Sequence, residues 1–179
     1  MDLTDNDRIE LLRIARATLR EYLSTGHIPP GKPHTAHLLE PAAVFVSLHC
    51  GETLRGCIGT TEAKTPLFRA VQEMAVAAAS RDPRFDGLRR EELQELDIEI
   101  SVLHDRSPFA SLDEIVIGVH GLAITCRGRR GLLLPQVAVD HRWDAKTFVH
   151  KTCDKAGLSV DEWQAPGVVA EKFIADVFS

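Results

Sequence analysis

The run LRGCIGT at residues 54–60 constrains the fold more than any other stretch of this sequence. It is strand-like, but glycines interrupt it, and a glycine inside a strand typically marks a bulge or the close approach of another backbone or a ligand. Arg55 and Cys57 are two residues apart, so an undistorted strand presents both side chains on one face. Because an unpaired buried cation is costly, the arginine also needs an anionic partner. The run therefore predicts a strand on which a thiol and a guanidinium lie side by side.

A second strand-like stretch, VFVSLH, precedes this run, and the Gly-Glu dipeptide between them is typical of a tight hairpin turn. With that turn, Cys57 is expected opposite Val46, and Arg55 opposite Leu48. A different register would still leave Arg55 and Cys57 together, because alternation along one strand does not change. The hairpin is thus predicted to keep the thiol and the guanidinium on one face.

Capping signals predict helices in both halves of the chain. Thr4 is suited to cap a first helix, with Asp7 three residues later, and Gly26 is suited to end that helix. Asp144 is suited to cap a later helix. Between them, apolar residues alternate cleanly over 97–103, which predicts a half-buried strand in an antiparallel sheet.

Charged residues near these elements are candidates for a site. The turn SRDPRF follows an alanine-rich helix and must leave the helical conformation, because proline disfavours it for the preceding residue. Asp82 lies there between Arg81 and Arg84, and two interpretations stay open: a self-satisfied structural cluster, or an anion site in which Asp82 orients a guanidinium. Glu99 is either an ordinary polar residue of its strand or the carboxylate that meets Arg55 or Arg81.

Histidines and one glutamine supply further candidates. His120, at a predicted strand junction, is interpreted as a turn residue in preference to a titrating group. His34 and His37 have the spacing of a metal-binding pair, but no helix aims them, so we favour a surface loop and predict no metal site. Gln136 lies in a segment, 135–138, that is predicted to be irregular, and its amide offers both a donor and an acceptor.

Composition and missing motifs argue against several function classes. The net charge of -5 disfavours binding of an extended phosphate backbone, so we predict no DNA binding. No apolar stretch reaches the roughly 18 residues of a membrane span, and residues 1–5 lack a secretory pattern, so we expect no membrane association. Four cysteines without a CxxC pair are typical of free thiols in a cytoplasmic protein. The sequence contains no P-loop, dinucleotide fingerprint or G-x-S-x-G motif, and no cofactor is predicted.

Motifs spread over nearly the whole chain occur in the same order in one known family: LRGCIGT, AASRDPRF, LDIEISVL, GVHGLAI, RGLLLPQVAVDHRWD and CDKAGL. The sequence resembles the AMME chromosomal region candidate (AMMECR-like) domain family, in particular the short microbial form named AmmeMemoRadiSam system protein A. The resemblance implies an α+β fold of antiparallel sheets with flanking helices, a single domain, 1–179, made of two unequal lobes with a cleft between them. The larger lobe is expected to hold residues 1–107 and 167–179, and the smaller lobe residues 108–166.

Carried over position by position, the resemblance implies a site centred on Cys57. Three roles of this thiol stay open: catalytic nucleophile, ligand contact and core packing. The sequence departs from the family at Thr61, where an aromatic residue usually follows the Gly-Thr dipeptide, so no ring is expected there. The residues expected to bind a substrate are Arg55, Gly56, Gly59, Arg81, Asp82, Arg84, Glu99, His120 and Gln136.

The resemblance also implies partners, namely a radical-SAM protein and a Memo-like protein in one modification system. We therefore expect an anionic or nucleotide-like substrate, RNA included, in the cleft near LRGCIGT. Whether the chain is itself an enzyme stays open, and any chemistry of its own would depend on Cys57. The alternative is a non-catalytic adaptor that binds a partner protein.

Overall fold

The computed structural model describes residues 3–179 and contains four α-helices and six β-strands in that range. Short 3₁₀ helices cover His37–Leu39, Arg90–Gln94, Leu112–Glu114 and Glu162–Gln164. No helix among the described residues is long and apolar enough to cross a bilayer. In chain order, the helices and strands are α1 (Asp5–Thr25), β1 (Ala43–Cys50), β2 (Thr53–Thr60), α2 (Leu67–Ser80), β3 (Leu96–Pro108), β4 (His120–Cys126), β5 (Arg129–Leu133), α3 (Pro135–Asp140), α4 (Ala145–Lys155) and β6 (Val168–Phe178).

The chain divides into two compact units of unequal size. The first runs to Leu103 and takes in Asp176–Ser179, and the second is His104–Ala175. Strand β1 pairs antiparallel with β2 and β3 in the first unit, and β4 pairs antiparallel with β5 and β6 in the second. The predicted α+β class, with antiparallel sheets and flanking helices, is confirmed. The division falls inside β3 and β6, so it differs from the expected lobe limits after 107 and before 167.

Capping sets both ends of α1. The Thr4 hydroxyl accepts the backbone N–H of Asp7 (3.2 Å), and the Asp7 carboxylate accepts the backbone N–H of Thr4 (2.9 Å). Gly26 ends the helix in a left-handed conformation (φ 77°), which glycine adopts without steric cost. Both predicted ends are confirmed. The cap also leaves the Asp7 carboxylate fully buried at the start of α1.

Helix α2 packs closely on the hairpin of the first unit. The core between them is apolar, with Val46 and Leu48 of β1 and Ile100 of β3 fully buried. The helix comes nearest at Gly56, where a Cβ would lie 2.1 Å from the carbonyl oxygen of Ala78. Only glycine permits that approach, so the C-terminal end of α2 is held against LRGCIGT.

The second unit has its own core under α4. Phe148 of α4 and Leu122 and Ile124 of β4 are fully buried in it. The Asp144 carboxylate accepts the backbone N–H of Thr147 (2.8 Å). The predicted cap of this helix is therefore confirmed.

Residues 135–138 are helical, so the prediction of an irregular segment is wrong. They open α3, in which Pro135 occupies the first turn. Proline suits that place, because its fixed φ matches a helix and its missing N–H has no partner there in any case. Gln136 consequently lies on the first turn of a short helix, with its side chain half-buried.

Candidate functional site

A β-bulge interrupts the hairpin between β1 and β2 at Arg55. The two-residue turn is confirmed, but Arg55 is an extra residue with no partner on β1. The predicted pairing of Cys57 with Val46 and of Arg55 with Leu48 is wrong, because it allowed for no extra residue. The observed pairs on either side of the bulge are Cys50–Thr53, His49–Leu54, Leu48–Gly56 and Ser47–Cys57.

The bulge also removes the reason to place Arg55 beside Cys57, because alternation does not continue through an extra residue. The Arg55 guanidinium instead binds Glu92, with Nε donating to Oε1 (2.7 Å) and Nη2 to Oε2 (3.2 Å). These hydrogen bonds, with one from the backbone of Arg89, hold the pKa of Glu92 below its usual value. The side chains of Arg55 and Glu92 are only 20% and 26% exposed. The arginine thus has the anionic partner that its burial requires, and its charge is neutralised in place.

Cys57 lies half-buried in the middle of β2, opposite Ser47 of β1. The Ser47 hydroxyl donates a hydrogen bond to the Cys57 sulfur (3.2 Å). Ser47 also pairs with Glu99 of β3, so these three side chains form a row across three strands on one face of the sheet. Within residues 3–179, Glu99 makes no ion pair with Arg55 or Arg81, so the hypothesis that it meets one of them is wrong. The row offers a thiol, a hydroxyl and a carboxylate.

The glycines of LRGCIGT accommodate other atoms of the first unit. A Cβ on Gly59 would lie 2.3 Å from the ring of Phe45, which covers it. Gly56 is needed for the approach of α2 at Ala78. The sequence predicted a bulge or a close approach, and both are present, but the space beside each glycine is filled from within the protein.

Asp82 connects the turn after α2 to Cys57. Its side chain is 1% exposed and accepts the backbone N–H of Cys57 (2.9 Å). The same carboxylate binds the Arg84 guanidinium through Nε (2.9 Å) and Nη2 (2.7 Å). Hydrogen bonds from Arg84 outweigh the effect of burial and hold the pKa of Asp82 well below its usual range. Because Arg84 Nη2 also donates to the Cys57 carbonyl (3.3 Å), both backbone polar groups of Cys57 are bonded to this pair.

The guanidinium beside Cys57 is therefore that of Arg84. Its side chain is 57% exposed and lies over the ring of Phe85, 5.2 Å from the ring centroid. The hydrogen bonds to Asp82 raise the pKa of Arg84, so it carries its charge throughout the working pH range. Arg81 is exposed and has no ion pair among the described residues. Asp82 and Arg84 thus satisfy each other's hydrogen bonds, as the structural interpretation predicted, whereas Arg81 is not part of this cluster.

Two residues of this region, Ser47 and Glu92, were not among the site residues predicted from the sequence. Ser47 carried a signal, because it is the one polar residue in the apolar run VFVSL. A bulge at Gly56 would have brought it opposite Cys57. Glu92 carried no comparable signal, since it is one of several glutamates in EELQE.

His120 and Gln136 belong to the second unit, His104–Ala175, whereas Cys57 belongs to the first. His120 Nδ1 accepts the backbone N–H of Val116 (3.0 Å). Burial lowers the pKa of His120, which favours the neutral ring that can accept a hydrogen bond. This hydrogen bond fits the interpretation of His120 as a turn residue, which the sequence favoured. The Gln136 side chain makes no hydrogen bond within residues 3–179.

Known proteins similar to this chain match it over most of its length. A family model described as AMMECR1 matches residues 12–178. A protein of Methanopyrus kandleri is 41% identical, over 94% of this chain and 86% of that protein. A protein of Methanothermobacter thermautotrophicus is 38% identical, over 94% of this chain and 91% of its own length. The crystal structure of an uncharacterized protein from Pyrococcus horikoshii is similar with a TM-score of 0.86 and 37% identity, over 94% of this chain and 88% of that one.

Proposed function

Because the chain belongs to the AMMECR1 family, we propose that it acts as its resemblance implies, as one component of a modification system with a radical-SAM protein and a Memo-like protein. Its contribution is a substrate-contact site at Cys57, on the first unit. The substrate is an anionic or nucleotide-like molecule, RNA included.

One observation carries this proposal: a buried carboxylate binds both the backbone of Cys57 and an exposed guanidinium. Asp82 accepts the backbone N–H of Cys57 and two N–H groups of Arg84. Movement of the Cys57 backbone or of the Arg84 guanidinium breaks hydrogen bonds to a buried charge, which is costly. A site that must present a sulfur and a cation together gains pre-organisation from such an arrangement.

The exposed part of Arg84 supports an anionic ligand. A guanidinium has five N–H donors, and only those of Nε and Nη2 have partners among residues 3–179. The N–H groups of Nη1 are therefore free to bind a phosphate or carboxylate oxygen. Arg81 supplies a second exposed cation in the same turn. The net charge of -5 fits one local anion site better than an extended basic surface.

Ser47 supports an active role of the thiol by holding the sulfur in place. Its hydroxyl donates a hydrogen bond to the Cys57 sulfur. Both active roles of Cys57, ligand contact and nucleophile, use the sulfur at this place. The compartment we propose is the reducing cytoplasm, which suits the four free cysteines.

Alkylation of Cys57 tests the proposal. Iodoacetamide labelling followed by peptide mass spectrometry measures the rate at each cysteine between pH 6 and pH 9. Cys50 is an internal control, because it is also half-buried but burial raises its pKa. The proposal predicts that Cys57 is labelled faster than Cys50 and at least as fast as free N-acetylcysteine. A Cys57 rate no higher than that of Cys50 would contradict it.

The adaptor alternative is favoured by a different observation. The spaces beside Gly56 and Gly59 are filled by Ala78 and Phe45, as expected for a segment whose glycines serve packing alone. An inert thiol, together with partner binding that Cys57→Ser leaves unchanged, would select the adaptor. Co-purification with a radical-SAM protein, followed by a search for a product that disappears in Arg84→Ala, would select the modification system.

A further inference from the structure

Two histidines of the first unit rest against carboxylates of α1. His34 Nδ1 lies 2.6 Å from Glu10 Oε1, and His37 Nδ1 lies 3.1 Å from Asp7 Oδ2. The backbone N–H of His34 also binds Glu10 Oε1 (3.0 Å). The segment that carries the H-x-x-H spacing is therefore pinned to α1 at two points. The sequence predicted no helix that would orient the two imidazoles, but in the structure their contacts with α1 orient them.

The two carboxylates are themselves fixed side by side. Asp7 and Glu10 are three residues apart on α1, so they lie on the same helix face about 5–6 Å apart between their Cβ atoms. The Asp7 side chain is fully buried and the Glu10 side chain is 10% exposed. Thr35 donates to Asp7 Oδ1 (2.5 Å) and the Thr4 hydroxyl to Oδ2 (2.7 Å). The imidazoles of His34 and His37 therefore both rest on carboxylates of one face of α1.

The carboxylates also determine which ring nitrogen carries the proton. The Asp7 carboxylate accepts hydrogen bonds from the Thr4 and Thr35 hydroxyls and from the Thr4 backbone N–H, so it acts as an acceptor here. An ionised carboxylate only accepts hydrogen bonds, so Nδ1 of each imidazole must be the donor. In a neutral ring this leaves a lone pair on Nε2. The side chains of His34 and His37 are 76% and 48% exposed, so solvent reaches these rings.

We propose that His34 and His37 form a two-imidazole site for a divalent transition metal such as Zn²⁺, Ni²⁺ or Cu²⁺, bound through both Nε2 atoms. Metal-binding histidines characteristically donate their other ring N–H to a carboxylate, which sets the tautomer and raises the basicity of the ligand. Nδ1 of each ring already lies within hydrogen-bond distance of a carboxylate. Imidazole suits these three ions, whereas Mg²⁺ and Ca²⁺ prefer oxygen ligands.

The site has only two ligands from the protein. Within residues 3–179, no group of three or more His, Cys, Asp or Glu side chains is placed to hold a metal ion. Asp7 Oδ2 and Glu10 Oε1 are already used by the Nδ1–H donors. Water fills the remaining positions, which keeps the ion exchangeable and open to an incoming donor. The proposal is independent of the chemistry at Cys57.

Titration of the full chain with Cu²⁺ and Zn²⁺ tests it. Calorimetry measures the affinity, and electron paramagnetic resonance of the Cu²⁺ complex counts the coordinated nitrogens. We expect one site with two imidazole nitrogens. His34→Ala and His37→Ala should each lower the affinity at least about tenfold. Removal of a residue that only supports a metal ligand already costs about that much, and these variants remove the ligand itself. His27→Ala is the matched control, because His27 is exposed in the same segment between α1 and β1 and its ring contacts no carboxylate within residues 3–179.

Glu10→Gln tests the carboxylate support and should lower the affinity about 10-fold to 100-fold with both ligands present. A nuclear magnetic resonance titration of the unmutated chain with Zn²⁺ needs no variant, and it should shift the imidazole signals of His34 and His37 first. The proposal is overturned if the two ligand variants bind as tightly as His27→Ala, if the Cu²⁺ spectrum shows fewer than two nitrogens, or if other histidines shift first.

Discussion

Two arginine–carboxylate pairs of the first unit, Arg55–Glu92 and Arg84–Asp82, differ in how the two partners are buried. Arg55 and Glu92 are both mostly covered, at 20% and 26% exposure. Arg84 is 57% exposed, whereas its partner Asp82 is 1% exposed. The first pair neutralises a charge where it lies. The second anchors a carboxylate inside the protein and leaves the guanidinium facing outward, which is why we propose Arg84, distant in sequence, as the arginine that meets a ligand.

The largest expected effect is on stability, at the carboxylate ends of the two pairs. Asp82→Ala removes the acceptor of the Cys57 N–H and the anchor of Arg84. It should lower the free energy of unfolding by about 3 kcal/mol, the cost of unsatisfied buried groups. Glu92→Ala should cost about 1 kcal/mol, as for a pair that is partly open to solvent. Urea unfolding of both variants measures the difference. Equal losses would contradict the contrast between the pairs.

A second prediction concerns the close approach of α2 to β2, on which the hydrogen bond between Asp82 and the Cys57 backbone depends. Gly56→Ala places a Cβ against the Ala78 carbonyl and must push α2, with the turn that carries Asp82, away from β2. Overpacking of this kind costs about 1–3 kcal/mol. The Cys57 amide should then exchange its hydrogen faster, because its bond to Asp82 lengthens. Gly87→Ala serves as a control, since a Cβ there makes only an ordinary contact of 3.6 Å with the Ala79 carbonyl oxygen. Unchanged exchange at Cys57 in Gly56→Ala would contradict the prediction.

The smallest expected effect is the loss of stability at low pH. The pKa values of Asp82 and Glu92 are both lowered in the folded protein. A carboxyl with a lowered folded pKa contributes stability above its unfolded pKa, near 4, and this is lost as the pH falls through the folded value. Stability should therefore decline below about pH 4. Asp82→Asn should flatten this decline more than Glu92→Gln does, in urea midpoints measured from pH 2 to pH 6. The opposite order would contradict the prediction.

Local chemistry allowed much of the fold to be predicted. The Thr4–Asp7 cap, the Gly26 stop and the Asp144 cap depend on residues within one helical turn of each other, and all three are confirmed. Alternation over 97–103 predicted the buried face of β3 for the same reason. Each of these signals is complete within a few residues, so sequence alone is enough to read it.

The site depended on contacts that sequence spacing does not encode. A single extra residue at Arg55 changed the register and separated this arginine from the predicted pairing. Its partner Glu92 is 37 residues away, and Asp82 reaches Cys57 across 25 residues. The same holds for His34, whose supporting carboxylate, Glu10, is 24 residues away. The sequence identified the correct segments but could not tell which charges meet.

The alkylation rate of Cys57 at pH 7 in Arg84→Gln and Arg55→Gln tests the account most directly. A half-exposed charge beside the sulfur is worth about 1 kcal/mol or less, so Arg84→Gln should slow alkylation about threefold to fivefold. Arg84→Lys, which keeps the charge, should recover most of the rate. Arg55→Gln should leave the rate within the error of the unmutated chain, because the Arg55 guanidinium binds Glu92 and has no hydrogen bond to Cys57 among residues 3–179. A loss of reactivity in Arg55→Gln, with none in Arg84→Gln, would contradict the assignment of Arg84 as the cation of this site.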